Sequence, residues 1–418
     1  MPADQAAGLT AWIDATDPAS GRRLWGMTVV ERQIRQLCLR GVARFRICVS
    51  AASLPAVRAF RADLFRLYSF GHDFVADGQV ETEAPEGADE RACLLVLVGA
   101  AVYDDRVLDR LLAGDASAAV CGPAGLVAAR LQPRQFAALV RDGRLCVDAA
   151  TVRRAGVACL PVDALDPYVR ALRLRLPPVM ARVPAAGSLD QLDHLLYRRS
   201  FKGVIDAVAL YGYYRLVRWL TRRLSDTALP PNLFTVLSIL GIWAAVPLFA
   251  AGRFGLGALA AWVGVILDSV DGKLARLRLH FSDTMGAIEH LTAMPGLGCW
   301  YLATGYRLTG GQLASGQPLA WVTWALLGFF LLDKGVTGTF AALARRELFD
   351  YAAVDAAFHL VAARRNVALV LLTLGAAANR VALALEAVAL WTGATLVFHL
   401  ARATWILGSR RTRPRQSP

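Results

Sequence analysis

The sequence predicts two bodies in one chain: an N-terminal α/β domain followed by an all-α membrane domain of six transmembrane helices. Hydrophobic residues make up 56% of the 418 residues and charged residues only 19%, which is too apolar for a purely water-soluble protein. Charged side chains are common before about residue 232 and sparse afterwards. Strand-like apolar runs alternate with amphipathic helical stretches only in the first part.

The α/β domain is predicted over residues 1–176. The runs LTAWID, ARFRICVS, CLLVLVG and ASAAVCG are typical of strands, and the patterns at 29–40, 54–67 and 105–112 are typical of helices. This alternation predicts a mostly parallel sheet. Residues 177–194, which contain most of the stretch LPPVMARVPAAGS, are predicted to be the linker.

The membrane domain is predicted over residues 195–418, and its first span is charge-free over the 20 residues 233–252. That length crosses roughly 30 Å of hydrocarbon as a helix. The next charge-free window, 254–267, has only 14 residues, so the second span must include the following DSVDGKLAR. Four further spans are predicted at about 285–306, 318–339, 366–378 and 382–407.

The basic residues predict the orientation of these spans. Nineteen Lys and Arg residues fall on one face, whereas the other face has only Arg253, Arg307 and Arg380. This asymmetry predicts an inner or plasma membrane protein with both termini, and the DSVDG segment, in the cytoplasm. The membrane also accounts for the net charge of +13, so no nucleic-acid partner is predicted. The seven cysteines form no CxxC pair, which favours reduced thiols.

The candidate functional residues lie along one face of the second predicted span. Asp268, Asp271, Gly272, Ala275 and Arg276 lie at i, i+3, i+4, i+7 and i+8 of a helix. Two carboxylates near hydrocarbon repel each other, and a divalent cation with oxygen ligands, Mg²⁺ or Mn²⁺, resolves the repulsion. The small residues leave room for a nucleotide, and the guanidinium can bind a diphosphate. The alternative is a membrane-border helix end whose carboxylates pair with Lys273 and Arg276.

The pattern D-x-x-D-G-x-x-A-R at the end of a transmembrane helix resembles the first half of the signature of the CDP-alcohol phosphotransferases. A basic helix at about 197–224 and the sequence PPNLFT before the first span agree with this resemblance, which covers roughly residues 195–407. It implies a six-helix membrane fold that is usually dimeric, with a carboxylate metal site. It also implies that a hydroxyl acceptor, a lipid or a polyol phosphate, attacks the β-phosphorus of a CDP-alcohol and releases CMP.

The second half of the signature departs from the family pattern. Aligned without a gap, Met285 takes the place of a Gly, Glu289 that of the third carboxylate, and Ala293 that of the carboxylate expected as the base. A shift by one residue restores Gly286 but places His290 and Met294 at the other two positions. The ungapped alignment is preferred, since it keeps Ser282 in its usual place and supplies a competent metal ligand.

The predicted site follows from this alignment. The metal ligands are Asp268, Asp271 and Glu289; the catalytic residues are Glu289 and His290; the CDP-binding residues are Asp268, Gly272, Ala275 and Arg276. The leading hypothesis is an integral membrane phosphotransferase of phospholipid or inositol-phosphodiester synthesis, with membrane lipid and a second copy of the chain as further partners. A catalytically impaired scaffold of the same fold is the first alternative.

The N-terminal domain resembles the sugar-phosphate nucleotidyltransferases in the order of its elements. The sequence ATDPASGRRL replaces the glycine-rich phosphate loop, and Ala100 and Ala101 stand where a metal-binding Asp is expected. These departures predict a degenerate nucleotidyltransferase-like domain that binds, regulates or assembles. A membrane-anchored cytidylyltransferase is the remaining alternative for the whole protein.

Overall fold

The computed structural model describes residues 9–81, 93–114, 116–169, 172 and 174–411. The side chains at positions 174, 283, 289, 290, 293, 410 and 411 lie outside this description.

A seven-stranded sheet organises the N-terminal body of the described chain. Its strands are β1 (Thr10–Ala15), β2 (Arg44–Val49), β3 (Gly71–Ala76), β4 (Leu94–Val98), β5 (Ala118–Cys121), β6 (Val127–Leu131) and β7 (Cys159–Pro161). They lie in the order β7-β5-β6-β4-β1-β2-β3. Strands β3, β2, β1 and β4 are parallel, β7 is parallel to β5, and β6 is antiparallel to both of its neighbours. The mostly parallel sheet expected from the sequence is confirmed.

The helices of this body are α1 (Val29–Cys38), α2 (Leu54–Val57), α3 (Leu64–Leu67), α4 (Asp105–Leu112), α5 (Pro133–Ala137) and α6 (Ala149–Arg154). Helix α1 begins after Thr28, whose hydroxyl accepts a hydrogen bond from the Glu31 amide at 3.1 Å. The helix expected over 54–67 is divided into α2 and α3. The chain is held between them, because the Arg61 amide donates to the Glu31 carboxylate at 3.0 Å.

Part of the predicted linker is ordered against the sheet domain. Residues Met180–Arg182 form a strand that pairs antiparallel with Ala101–Tyr103. The domain boundaries at 176 and 195 stay predictions. Shorter two-stranded pairs are Arg23–Leu24 with Met27–Thr28, Val140–Arg141 with Arg144–Leu145, and Tyr168–Val169 with Leu174–Arg175.

The cysteines differ from the expectation of reduced thiols at one place. Strands β5 and β7 are neighbours, which sets the Cα atoms of Cys121 and Cys159 5.7 Å apart and joins the two residues in a disulfide. Pairing across 38 residues of sequence is decided by the strand order, so the spacing of the cysteines gave no indication of it.

The C-terminal body is helical. Its helices are α7 (Asp190–Arg199), α8 (Tyr214–Ser225), α9 (Pro231–Ala250), α10 (Phe254–Arg278), α11 (Asp283–Leu308), α12 (Pro318–Ala344), α13 (Ala353–His359), α14 (Arg365–Ala377) and α15 (Val381–Arg411). A single turn of π-helix, Val208–Gly212, separates α7 from α8, so the predicted basic helix is interrupted.

Among the described residues, four helices are long and apolar enough to cross a membrane: α9, α10, α12 and α15. Large apolar side chains on them are exposed, for example Leu240, Trp321 and Leu390. This exposure indicates a lipid-facing surface and an integral membrane protein. Six spans are not confirmed. Helix α14 has only 13 residues, which is about 20 Å of helix.

Glycines bring α9 and α10 into backbone contact. A Cβ placed on Gly264 would lie 2.7 Å from the Ile242 amide nitrogen, and one on Gly241 would lie 2.8 Å from the Gly264 nitrogen. Small residues allow such close approach between membrane helices. This contact fixes the position of α10, and with it the motif at its C-terminal end.

Candidate functional site

A cavity of about 690 Å³ lies at the C-terminal end of α10. The predicted stripe lines it: Asp268, Asp271, Gly272, Ala275 and Arg276. The walls opposite come from the segment before α8, the start of α9, the start of α11 and the start of α14. The helical spacing in the sequence therefore did place these five residues on one concave surface.

Asp268 makes an ion pair with Arg365 through its Oδ2 atom. Its other carboxylate oxygen, Oδ1, is buried and has no hydrogen-bond partner in the described part of the chain. Arg365 is the first residue of α14, 97 residues further along the chain. One oxygen of Asp268 is thus oriented by a cation from another helix, and one is left for a ligand.

Asp271 is also only half satisfied. The residue is 3% exposed, its Oδ1 accepts from the neighbouring Gly272 amide, and its Oδ2 has no partner among the described residues. A buried carboxylate oxygen without a partner costs free energy comparable to that of a lost hydrogen bond or more.

The two unpartnered oxygens fit a divalent cation. Hard oxygen ligands suit Mg²⁺ or Mn²⁺, and two carboxylates leave positions open for phosphate oxygens. No group of three or more His, Cys, Asp or Glu residues suited to a metal occurs in the part of the structure described, which excludes the Glu289 side chain.

Gly272 makes room for the guanidinium of Arg276. A Cβ at Gly272 would lie 3.1 Å from the Arg276 Nη2 atom. The Nε of Arg276 donates to the Ser200 carbonyl oxygen at 2.5 Å, which holds the side chain along the cavity wall. The sequence had suggested that the glycine admits a nucleotide, which stays a prediction; the structure shows that it admits a side chain of its own helix.

Lys273 makes its described contacts with a backbone carbonyl oxygen and an aromatic ring. Its Nζ donates to the Ser269 carbonyl oxygen at 3.1 Å and lies 4.6 Å from the centre of the Phe201 ring. This contact disfavours the alternative in which Lys273 pairs with the carboxylates. The cation that does pair with Asp268 comes from α14.

The sequence did not single out Arg364, Arg365 and Asn366 as site residues, although all three line the cavity. The Asn366 amide donates to Asp206 Oδ2 at 2.7 Å and to the Tyr213 hydroxyl at 2.8 Å, and Asn366 Oδ1 is left buried without a partner among the described residues. The run RRN directly before an apolar segment was available as a signal. The two arginines of this run were used only to predict the orientation of the spans.

The second half of the signature lies on α11. Met285 and Gly286 line the cavity, and the Ser282 hydroxyl caps the helix by accepting from the Met285 amide at 3.4 Å. Glu289 and His290 lie within α11, but their side chains fall outside the described residues, so their predicted roles stay predictions.

In the N-terminal domain, Asp104 has a structural role. Its carboxylate binds Arg106 at 2.8 Å and Arg199 of α7 at 2.5 Å. Burial opposes ionisation of Asp104, but the hydrogen bonds and charges of these two arginines outweigh it and hold its pKa below the usual value. The nucleotidyltransferase-like character of this domain stays a prediction.

No protein-family model and no curated protein matches the chain. Three solved structures of phosphatidylinositol phosphate synthase from Mycobacterium tuberculosis are similar to part of it. The form with CDP-DAG bound is 19% identical with a TM-score of 0.36, over 46% of this chain and 94% of that chain. The apo form is 18% identical with a TM-score of 0.35, over 44% and 94%. The complex with manganese and citrate is 19% identical with a TM-score of 0.35, over 45% and 88%. At these TM-scores the likeness indicates nothing about the function of this chain.

Proposed function

We propose that this chain is a CDP-alcohol phosphotransferase of the membrane. The observation that carries the proposal is the pair of half-satisfied carboxylates, Asp268 and Asp271, on one helix face beside Arg276 and Arg365. Anionic and cationic side chains in one cavity suit a metal-bound diphosphate better than either charge alone. The D-x-x-D-G-x-x-A-R pattern gives this chemistry its specific form.

The roles of the residues follow from their positions. Asp268 and Asp271, with Glu289 as the proposed third ligand, would hold Mg²⁺ or Mn²⁺, which offsets charge on the diphosphate when bound. Arg276 and Arg365 orient the phosphate oxygens. The acceptor oxygen forms a bond to the β-phosphorus, the bridging P–O bond breaks, and CMP leaves with the electron pair. The acceptor proton passes to a base, for which His290 is the proposed group.

We also propose the membrane orientation and the assembly that the sequence predicts. The cavity faces the cytoplasm with both termini, as the distribution of basic residues supports. The resemblance adds a six-helix fold, a homodimer and a donor alcohol attached to CDP.

The direct test is release of CMP by the purified full-length protein in detergent with a panel of CDP-alcohols and acceptors. We expect turnover with Mg²⁺ or Mn²⁺, loss of turnover with a chelator, and a loss of at least 10²-fold in Asp271→Asn. The control is Asp109→Asn, which changes a half-exposed carboxylate outside the cavity. Turnover that is unaffected by Asp271→Asn would contradict the site.

Ala293 favours a second candidate, a relative of such enzymes that binds a CDP-alcohol without turnover. Positioned proton transfer is typically worth about 10²–10⁴ in rate, so loss of the base carboxylate is a serious defect. If the chain lacks a base, Ala293→Asp should create or raise CMP release toward that factor. If His290 has taken over, His290→Ala should abolish release and Ala293→Asp should be neutral or harmful.

A further inference from the structure

A second cavity, of about 890 Å³, lies where the two bodies meet. One wall is α1 with Arg32 and Gln36, another is the start of α4, and a third is formed by Arg199 and by Leu277 at the end of α10. The candidate site accounts for the first cavity but not for this one.

Arg32 is a buried cation that forms no ion pair with a carboxylate in the described part of the chain. The residue is 5% exposed, and its described hydrogen bond runs from Nη2 to the Leu277 carbonyl oxygen at 2.5 Å. Its Nε has no partner in the described structure. Burial lowers the pKa of the Arg32 guanidinium to about 10, although Asp105 opposes the shift. A buried guanidinium that binds only a carbonyl oxygen is costly, and an anion in the cavity would offset that cost.

Gln36, one turn further along α1, offers the complementary group. It is 4% exposed, and its Nε2 donates to the Tyr103 carbonyl oxygen at 3.1 Å and to Asp105 at 2.9 Å. Its Oε1 has no partner among the described residues. An amide oxygen held in this way accepts a hydrogen bond from a ligand hydroxyl.

Three other arginines along the same walls are paired with carboxylates. Arg40 pairs with Asp105 and Asp109, and Asp104 binds both Arg106 and Arg199. Arg32, in contrast, forms no ion pair with a carboxylate in the described part of the chain, and the unpartnered Gln36 Oε1 lies one turn away on the same helix.

The two cavities share Lys202, Arg276 and Phe281 in their walls. A molecule in the second cavity would lie beside the candidate site without occupying it. It would also touch Arg32, which holds the last turn of the helix that carries the motif.

We propose that this interdomain cavity is a second ligand site, for a small water-soluble phosphate ester that bears hydroxyl groups. The phosphate binds Arg32 and a hydroxyl donates to Gln36. The site does not depend on the phosphotransferase proposal, because its residues lie outside the carboxylate pair.

Equilibrium binding to the full-length protein in detergent tests the site, with glycerol 3-phosphate, inorganic phosphate and glycerol as probes. We expect glycerol 3-phosphate to bind at least tenfold more tightly than inorganic phosphate, and glycerol not to bind. Binding should persist in the Asp268→Asn, Asp271→Asn double variant, which separates it from the candidate site. Loss in that variant, equal affinity for the two phosphates, or no binding would each overturn the proposal.

Two variants place the ligand in the cavity. Arg32→Gln should weaken glycerol 3-phosphate binding at least tenfold, and Arg153→Gln, at an exposed position on α6, should leave it unchanged. Since Arg32 also bonds to Leu277, Gln36→Leu provides a second test that keeps this contact. It should abolish the preference for glycerol 3-phosphate over inorganic phosphate, while the thermal unfolding of the free protein reports folding. An unchanged preference in Gln36→Leu would contradict the assignment.

Discussion

Two residues at the end of α10, Asp268 and Arg276, line the cavity and are also held by contacts within the protein. Asp268 binds Arg365 with one oxygen and keeps the other without a partner in the described structure, and Arg276 binds the Ser200 carbonyl oxygen while its guanidinium lies against Gly272. Each side chain is oriented by a protein contact, and Asp268 also keeps one buried oxygen without a partner among the described residues. Such orientation reduces the entropy lost when a substrate binds.

The first prediction concerns Arg276. Arg276→Ala should weaken binding of a CDP-alcohol by about 1.5–3 kcal/mol, since hydrogen bonds to a charged group are lost. Titration calorimetry in detergent would measure this change. Arg253→Ala, at the opposite end of the same helix, is the matched control and should bind as the wild type does. Equal affinity in Arg276→Ala and the wild type would rule out the role in donor binding.

At the scale of elements, α10 is fixed by two different contacts. Its middle lies against α9 through glycines, and its end is held by the N-terminal body. Arg32, Arg35 and Tyr68 donate to the carbonyl oxygens of Leu277, Arg278 and Leu279, respectively. The last carbonyl groups of a helix lack partners within it, so these donors stabilise the end that carries the motif.

The second prediction concerns the α9–α10 contact. Gly264→Ala would place a Cβ 2.7 Å from the Ile242 nitrogen and 2.9 Å from the Ser238 carbonyl oxygen, so the helices must move apart. We expect a destabilisation of about 1–3 kcal/mol, as for other overpacked sites, measured as a lower midpoint of thermal unfolding in detergent. Gly255→Ala on the same helix meets open space and should not destabilise, because Ala favours helix. A stable Gly264→Ala protein would contradict the close approach.

The third prediction concerns the end of α10. Tyr68→Phe removes the donor that binds the Leu279 carbonyl oxygen at 2.5 Å and changes little else. Hydrogen exchange of the amides at 277–281 should become faster, by the equivalent of about 1 kcal/mol for one lost hydrogen bond. Tyr211→Phe, at an exposed tyrosine, should leave these amides unaffected. Unchanged exchange in both variants would mean that the N-terminal body does not hold this helix end.

At the scale of the whole molecule, the N-terminal body is joined to the membrane body by buried polar contacts. Arg278 donates to the carbonyl oxygens of Ser225 at 3.0 Å and Thr227 at 2.7 Å, and Arg61 donates to the same two groups from the other body. Asp104 and Arg199 add an ion pair between α7 and the N-cap of α4. Arg61 and Arg278 thus satisfy the same two carbonyl groups of the membrane body, one from each body.

The fourth prediction concerns pH and the pair Asp104 and Arg199. The pKa of Asp104 is lowered in the folded state, so the folded protein binds fewer protons than the unfolded chain. Its contribution to stability is present above the unfolded pKa of about 3.9 and is lost as pH falls through the folded pKa. Thermal unfolding at a series of acidic pH values should show this loss.

Asp104→Asn should flatten that acid dependence and lower stability at neutral pH, because Arg199 loses its partner. Asp142→Asn, at an exposed position, should retain the acid dependence of the wild type. Identical acid profiles for Asp104→Asn and the wild type would show that this ion pair does not contribute to the stability of the fold.

Features that depend on local periodicity and length could be predicted from the sequence. The positions of β1, β2, β4 and β5 follow from short apolar runs, and the charge-free windows predicted α9 and the first part of α10. The spacing of Asp268, Asp271 and Arg276 was enough to place them on one face, because a helix repeats every 3.6 residues.

The distant residues that complete the site and the interface could not be predicted from the sequence, because they are brought together by the packing of whole elements. Arg365 reaches Asp268 from 97 residues away, and Arg32 reaches the end of α10 from 245 residues away. Neither pairing has a periodic signal, since each depends on how whole helices pack and not on the conformation of a local segment. The disulfide between Cys121 and Cys159 has the same origin, because strand order is a property of the complete sheet. Local patterns specify the elements, whereas contacts between elements are chosen by burial and hydrogen bonding over the entire chain.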